Sequence, residues 1–239
     1  MRQRFSHAGV TFEYCLGDYS RQTDAEAVVL LKPPQLLQAY AALLPPEPCH
    51  VLELGLFEGG SAILLALLAP QARVISLDLD IRPHVAAAVQ RLGLQQRVQL
   101  HQGVAQDDEV ALRRILSDLP PDAPLRLIID DCSHQYAESR RSFEILFPHL
   151  ARGGHYVVED WNWAQLAGEF QGQLWADKPA LANLVFELML LHGSGGGWVE
   201  EVLVRDISAL VRKGCDADPS RPFRLDDHIR NRGRSIVLT

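Results

Sequence analysis

The sequence predicts an α/β fold built on a seven-stranded, mostly parallel sheet that ends in an antiparallel hairpin. Three observations predict it. Short apolar runs alternate with helical segments of about 10–15 residues between residues 49 and 158, the pattern of βαβ units and right-handed crossovers. Two further runs, Trp198–Val204 and Ser208–Lys213, are joined only by a tight turn at Arg205-Asp206, which is a hairpin. A chain of 239 residues is long enough to bury such a core without disulfide or metal staples.

The elements follow in order. Residues 1–30 show little periodicity and read as a leader packed on the main domain. Leu36, Leu37, Tyr40, Leu43 and Leu44 then fall at helical spacing between flanking prolines, giving an amphipathic helix. Cys49–Leu54 is the first strand, with a small-residue helix from Ser61 to Leu68. Arg73–Leu79 and Arg97–His101 are the second and third strands, separated by a helix over His84–Leu92. A helix at Glu109–Leu119 leads to a fourth strand at Leu125–Ile129. A helix over Ala137–Leu150 leads to a fifth at His155–Val158. A helix near Pro179–His192 and the glycine turn Gly193–Gly197 precede the hairpin. The expected organisation is a leader and helix at 1–45, a main domain at 46–213 and an Arg-rich tail at 214–239. The tail reads as loop with a short strand at Ser235–Leu238.

Charge and composition exclude several functions. The net charge is −7, against a general nucleic-acid binder held by phosphate neutralisation. From Arg212 onward there are seven basic and four acidic residues, so this stretch carries +3 and the preceding residues −10. No apolar run approaches a membrane span, and the N-terminus has no apolar secretory segment. Cys15, Cys49, Cys132 and Cys215 lie far apart without a C-x-x-C pair and read as reduced thiols, so a cytoplasmic protein is expected.

Two motifs carry chemistry. The first strand ends in Glu53-Leu-Gly55-Leu-Phe-Glu-Gly59, with glycines where backbone must approach a ligand. A dinucleotide fingerprint would place glycine where Glu53 stands, and a carboxylate there repels pyrophosphate but can accept from an ammonium group. Asp78 ends the second strand, 23 residues beyond Gly55, a distance suited to ribose hydroxyls. A generic strand-to-helix turn with chance acids is the competing reading. The second motif is Asp130-Asp131-Cys-Ser-His134-Gln-Tyr136 after strand four and Glu159-Asp160-Trp161 after strand five. Neighbouring parallel strands deliver these to one edge, where four carboxylates repel unless a cation or raised pKa values relieve them. A hard divalent cation, Mg²⁺, is the economical solution, and His134 offers a neutral base near pH 7. The competing reading makes these acids helix caps with His134 at the surface.

With Glu53, the glycines, Asp78 and the terminal hairpin in place, residues 30–213 resemble a Rossmann-like class I S-adenosylmethionine-dependent methyltransferase. That resemblance implies that Glu53, Gly55 and Gly59 face the methionine end and that Asp78 holds the ribose. It also places Gln106, in the segment after strand three, near the adenine; a surface loop is the alternative for Gln106. The D-D-x-S-H segment, with the E-D pair 28 residues after Asp131, is similar to the macrocin/mycinamicin sugar O-methyltransferases and to cephalosporin-hydroxylase-like proteins. This implies a metal held by Asp131, Glu159 and Asp160, His134 as general base, and Asp130 on the cofactor side. Alignment to the catechol-type O-methyltransferases would make Asp130 the ligand instead. Because adjacent strand residues point to opposite faces, only one of the pair is expected at the metal. Tyr136, Trp161 and Trp163 are candidate substrate walls or ordinary core aromatics.

The implied activity is Mg²⁺-dependent methyl transfer to a small-molecule hydroxyl (sugar, polyol or phenol of a natural product), with neither nucleic acid nor membrane as partner. Relatives of this kind commonly self-associate, so a homo-oligomer is an expectation. The alternatives are a catechol-type O-methyltransferase and a protein that binds S-adenosylmethionine in a non-methylating role. Arg230, Arg232 and Arg234 either form a solvated surface or close over an anionic substrate or a second subunit.

Overall fold

The computed structural model describes residues 2–166, 177–231 and 234–235. The chain forms two compact units, Met1–Ala105 with Asp122–Pro124, and Gln106–Pro121 with Leu125–Thr239.

The first unit opens with a sheet where a leader was expected. β1 (Arg2–His7) and β2 (Val10–Cys15) pair antiparallel, and β3 (Val28–Leu30) adds parallel to β2. Ala8 and Gly9 both have positive φ, 48° and 78°, as a two-residue hairpin turn requires. The sequence concealed this because Glu13 interrupts the apolar alternation. Its buried carboxylate is held by Arg4 at 2.8 Å and Arg21 at 3.1 Å, which keeps it below the usual carboxylate range. Helix α1 (Pro34–Ala41) buries Leu37 and Tyr40. Then follow β4 (Cys49–Leu54), α2 (Gly60–Leu68), β5 (Ala72–Asp78), α3 (Pro83–Arg91) and β6 (Val98–Gln102), with β4–β5 and β5–β6 parallel. Every residue of β4 is buried, which is why it reads as an apolar run interrupted only by His50 and Glu53.

In the second unit α4 (Glu109–Ser117) starts at Asp108, whose carboxylate accepts from Ala111 N. β7 (Leu125–Asp130) and β8 (His155–Glu159) are parallel, and between them run α5 (Tyr136–Leu146) and a 3₁₀ turn, Phe147–His149. After α6 (Ala182–Gly193), β9 (Val199–Val204) and β10 (Ser208–Lys213) form the expected hairpin, and β10 also pairs antiparallel with β8. The strand order is β6-β5-β4 in the first unit and β7-β8-β10-β9 in the second.

The tail is more structured than a loop. It contains a short helix, α7 (Leu225–His228), and the two-residue strands β11 (Arg230–Asn231) and β12 (Arg234–Ser235). Leu225 and Ile229 are buried, and Phe223 lies 4.9 Å from Trp198 and 5.7 Å from Phe147, ring centre to ring centre. Arg140 of α5 binds Glu187 of α6, Glu144 and Asp226 at once, tying the tail to two helices. The Arg230 guanidinium bonds backbone carbonyls of residues 226, 227 and 229. Arg232 and residues 236–238 of the expected strand lie outside the described residues. No helix among the described residues is long and apolar enough to cross a membrane, and the four cysteines form no disulfide.

Candidate active site

The carboxyl ends of β4 and β5 assemble the first group of residues. Glu53 is fully buried, and its Oε2 accepts from Ser76 Oγ at 2.8 Å, its partner in register on β5. The chain then turns through Gly55 (φ 87°), Phe57 (φ 47°) and Gly59 (φ 76°) into α2. A side chain on Gly59 would strike Val85 Cγ1 at 2.5 Å. Asp78 Oδ2 accepts from Leu56 N at 2.8 Å and Phe57 N at 3.3 Å, and its Oδ1 accepts from Asp80 N at 3.2 Å. The acid expected at the ribose thus also holds the glycine loop.

The carboxyl ends of β7 and β8 assemble the second group, and Asp130 and Asp131 part company there. Asp130 is buried in a polar cluster with Gln106, whose Nε2 lies 3.2 Å from Asp130 Oδ1, 3.3 Å from Ser139 Oγ and 3.1 Å from Ser142 Oγ. Tyr156 Oη donates to Asp130 Oδ2 at 3.3 Å. Burial pushes the Asp130 carboxyl up to about 6, against the opposing pull of the Ser139 hydroxyl, the nearby His134 and the Tyr156 hydroxyl. Gln106 is therefore not on a surface loop. Its carbonyl accepts from Ser133 N at 2.8 Å, so its amide braces the segment that carries Asp131 and His134.

Asp131, His134 and Asp160 converge, with one ligand atom from each lying within 4.8 Å of the others. His134 Nε2 is 3.9 Å from both Asp131 Oδ1 and Asp160 Oδ2. Donors on opposite sides of one Mg²⁺ lie about 4.2 Å apart, so two hard oxygens and an imidazole at these spacings fit a divalent ion. Asp160 N donates to Ile207 O at 2.7 Å, and Asp160 O accepts from Trp163 N at 3.2 Å. His134 and Asp160 have φ of 54° and 53°, a left-handed region that His and Asp enter more readily than most residues. Trp163 packs on the imidazole at 4.3 Å between ring centres. The helix-cap reading of the acids does not hold at α5, which starts at Gln135 without a side-chain cap.

The remaining expected residues are placed differently. Glu159 is the buried last residue of β8, in register with Ser208, and is not a member of the Asp131–His134–Asp160 group. Tyr136 Oη donates to Glu187 at 2.9 Å, and burial together with that carboxylate raises the phenol. Trp161 Nε1 donates to Arg205 O at 2.9 Å. Sequence reasoning passed over Glu58, inside the glycine loop, which is buried against Arg82, His84 and Thr23. Its one legible signal was a charged residue between two glycine-rich positions.

Residues 52–161 match a family described as a methyltransferase domain. The mycinamicin VI 2''-O-methyltransferase of Micromonospora griseorubida is 34% identical over 134 residues, 53% of this chain and 30% of that protein. The 8-demethyl-8-(2-methoxy-alpha-L-rhamnosyl)-tetracenomycin-C 3'-O-methyltransferase of Streptomyces olivaceus is 32% identical over 133 residues, 52% of this chain and 31% of that protein. The matched segments thus span under a third of either relative. The solved structure of the MycE methyltransferase, in complex with Mg, SAH and mycinamycin VI, superposes with a TM-score of 0.54 at 26% identity. It covers 73% of this chain and 47% of that one.

Proposed function

Because residues 52–161 match a methyltransferase domain, we propose that the protein transfers a methyl group from S-adenosylmethionine to a hydroxyl of a small molecule, foremost a sugar of a natural product. Mg²⁺ would lie in the Asp131–His134–Asp160 cluster. The carrying observation is the convergence of those three donors at the ends of two neighbouring strands inside the matched segment. The relatives named for O-methylation of glycosylated natural products support the acceptor class.

S-adenosylmethionine supplies the methyl group and the positive charge that drives its departure. A divalent cation there would lower the pKa of an acceptor hydroxyl, which otherwise lies far above 7. Asp131 and Asp160 would hold the cation, with buried Glu159, one residue before Asp160, as a further ligand. His134 takes the acceptor's proton at Nε2, the atom that faces both carboxylates. Trp163 on its ring fixes the imidazole and excludes water from one face. Glu53 and the glycine loop take the methionine end of the cofactor, and Asp78 takes the ribose.

A second reading makes His134 the third ligand, which its 3.9 Å spacing to both carboxylates favours. Titrating Mn²⁺ into His134→Ala separates the two. A base leaves metal affinity near wild type while methyl transfer collapses; a ligand loses both. Formation of S-adenosylhomocysteine on incubation with acceptor would eliminate the non-methylating role. Methyl transfer that survives both His134→Ala and chelation would overturn the mechanism.

A further inference from the structure

The segment 56–58 of the glycine loop is gripped from two sides. On one side Asp78 Oδ2 takes the amides of Leu56 and Phe57. On the other is Glu58, only 1% exposed. Its Oε2 accepts from Thr23 N at 2.7 Å and lies 2.8 Å from His84 Nε2, and its Oε1 accepts from the Arg82 guanidinium. Its backbone carbonyl accepts from Thr23 Oγ1 at 2.8 Å, and that hydroxyl accepts from Val29 N at 3.0 Å. Thr23 and Val29 belong to the segment before the matched methyltransferase domain.

Between the two grips sits Phe57, at φ 47°. A bulky residue in that region persists only where its surroundings over-determine it. The Arg82 guanidinium lies 4.5 Å over its ring and Tyr19 meets it edge-on at 6.1 Å. Arg82, a partner of Glu58, thus also holds Phe57. A buried carboxylate with donors on every side is costly to strip of any one of them, which makes the arrangement rigid.

We propose that Glu58 is a positioning residue for the cofactor, and that residues 19–29 act as a strap whose docking on Glu58 sets the backbone of the glycine loop. The proposal rests on the reading of that loop as the S-adenosylmethionine site. Preorganising a binding loop raises affinity by removing the cost of ordering it on binding. Loosening the strap therefore weakens cofactor binding through residues that never touch the cofactor.

The test is calorimetric titration of S-adenosylhomocysteine into the full chain, well below each variant's melting temperature, with Mn²⁺ affinity as an internal control. Glu58→Ala is expected to weaken S-adenosylhomocysteine by about tenfold or more, with Glu58→Gln recovering part of the loss. Thr23→Val, which keeps the side-chain shape but removes the hydroxyl, is expected to weaken it several-fold, with Mn²⁺ affinity unchanged throughout. Wild-type affinity in folded Glu58→Gln and Thr23→Val overturns the proposal, even if Glu58→Ala fails to fold. A wild type that binds no S-adenosylhomocysteine overturns the cofactor reading beneath it instead.

Discussion

A single methyl group on Gly60 would lie 2.1 Å from Val29 O and 3.0 Å from Leu30 Cα, both backbone atoms of β3. Neither can rotate away, so Gly60→Ala must part β3 from α2 or bend the helix. Overpacking of this kind typically costs about 1–3 kcal/mol or somewhat more. The expected outcome is a melting temperature lower by roughly 5 °C or more, checked by calorimetry; an unchanged melting temperature would refute the close approach. At the site, His134→Ala is expected to lower kcat by about 10²–10⁴, the usual worth of a positioned general base. Single-turnover kinetics checks this. Residue types at strand ends were the most legible part of the sequence. Asp131, His134 and Asp160 could be named because their chemistry and their place after apolar runs coincide. Glu58 could not, because what it does depends on a partner distant in sequence, Thr23; Gln106 could be named, but its partners Asp130 and Ser139, also distant in sequence, could not.

At the scale of elements, the turn after α5 governs pH dependence. Lys213, at the end of β10, is buried, and its Nζ donates to Pro148 O at 2.7 Å and Leu150 O at 2.5 Å. Burial pulls it from 10.5 down to about 8. Below pH 8 the amine is charged in both states. Between about 8 and 10.5 the unfolded chain still holds the proton and the folded one does not, so this residue's contribution to stability rises with pH. The wild type should gain on the order of 2 kcal/mol relative to Lys213→Met between pH 7.5 and 10, allowing for solvent screening. Urea denaturation measures the difference, and parallel curves would contradict it. His149, on the same turn, is pulled from 6.5 down to about 4, chiefly by burial and then by Arg113 and Lys213. Its contribution is present above pH 6.5 and is lost as pH falls toward 4. His149→Phe should flatten that acid limb.

The same scale shows where pattern reading failed. β4 through β10 were legible because buried parallel strands are continuous apolar runs and the helices between them keep one apolar face. β1 and β2 were not, because β1 is mostly exposed and Glu13 occupies a buried position of β2. α7 has only four residues, too short for any period, and Arg140 on α5 docks it through Asp226.

For the molecule as a whole, the −10 before Arg212 now has partial addresses. Glu53, Glu58 and Asp78 surround the glycine loop, and Asp131 and Asp160 flank His134. Binding to the folded state alone raises stability by mass action, by about 2.7 kcal/mol at a ligand concentration a hundred times Kd. Saturating S-adenosylhomocysteine should therefore raise the melting temperature by several degrees, with NAD giving no such rise. The most direct test of the account is titration of S-adenosylmethionine into the protein beside its Asp78→Ala variant. One site per chain is predicted in the wild type, with affinity lost in the variant because the proposed ribose partner and the loop's anchor go together. No heat from S-adenosylmethionine, or tighter binding of NAD, would contradict the account.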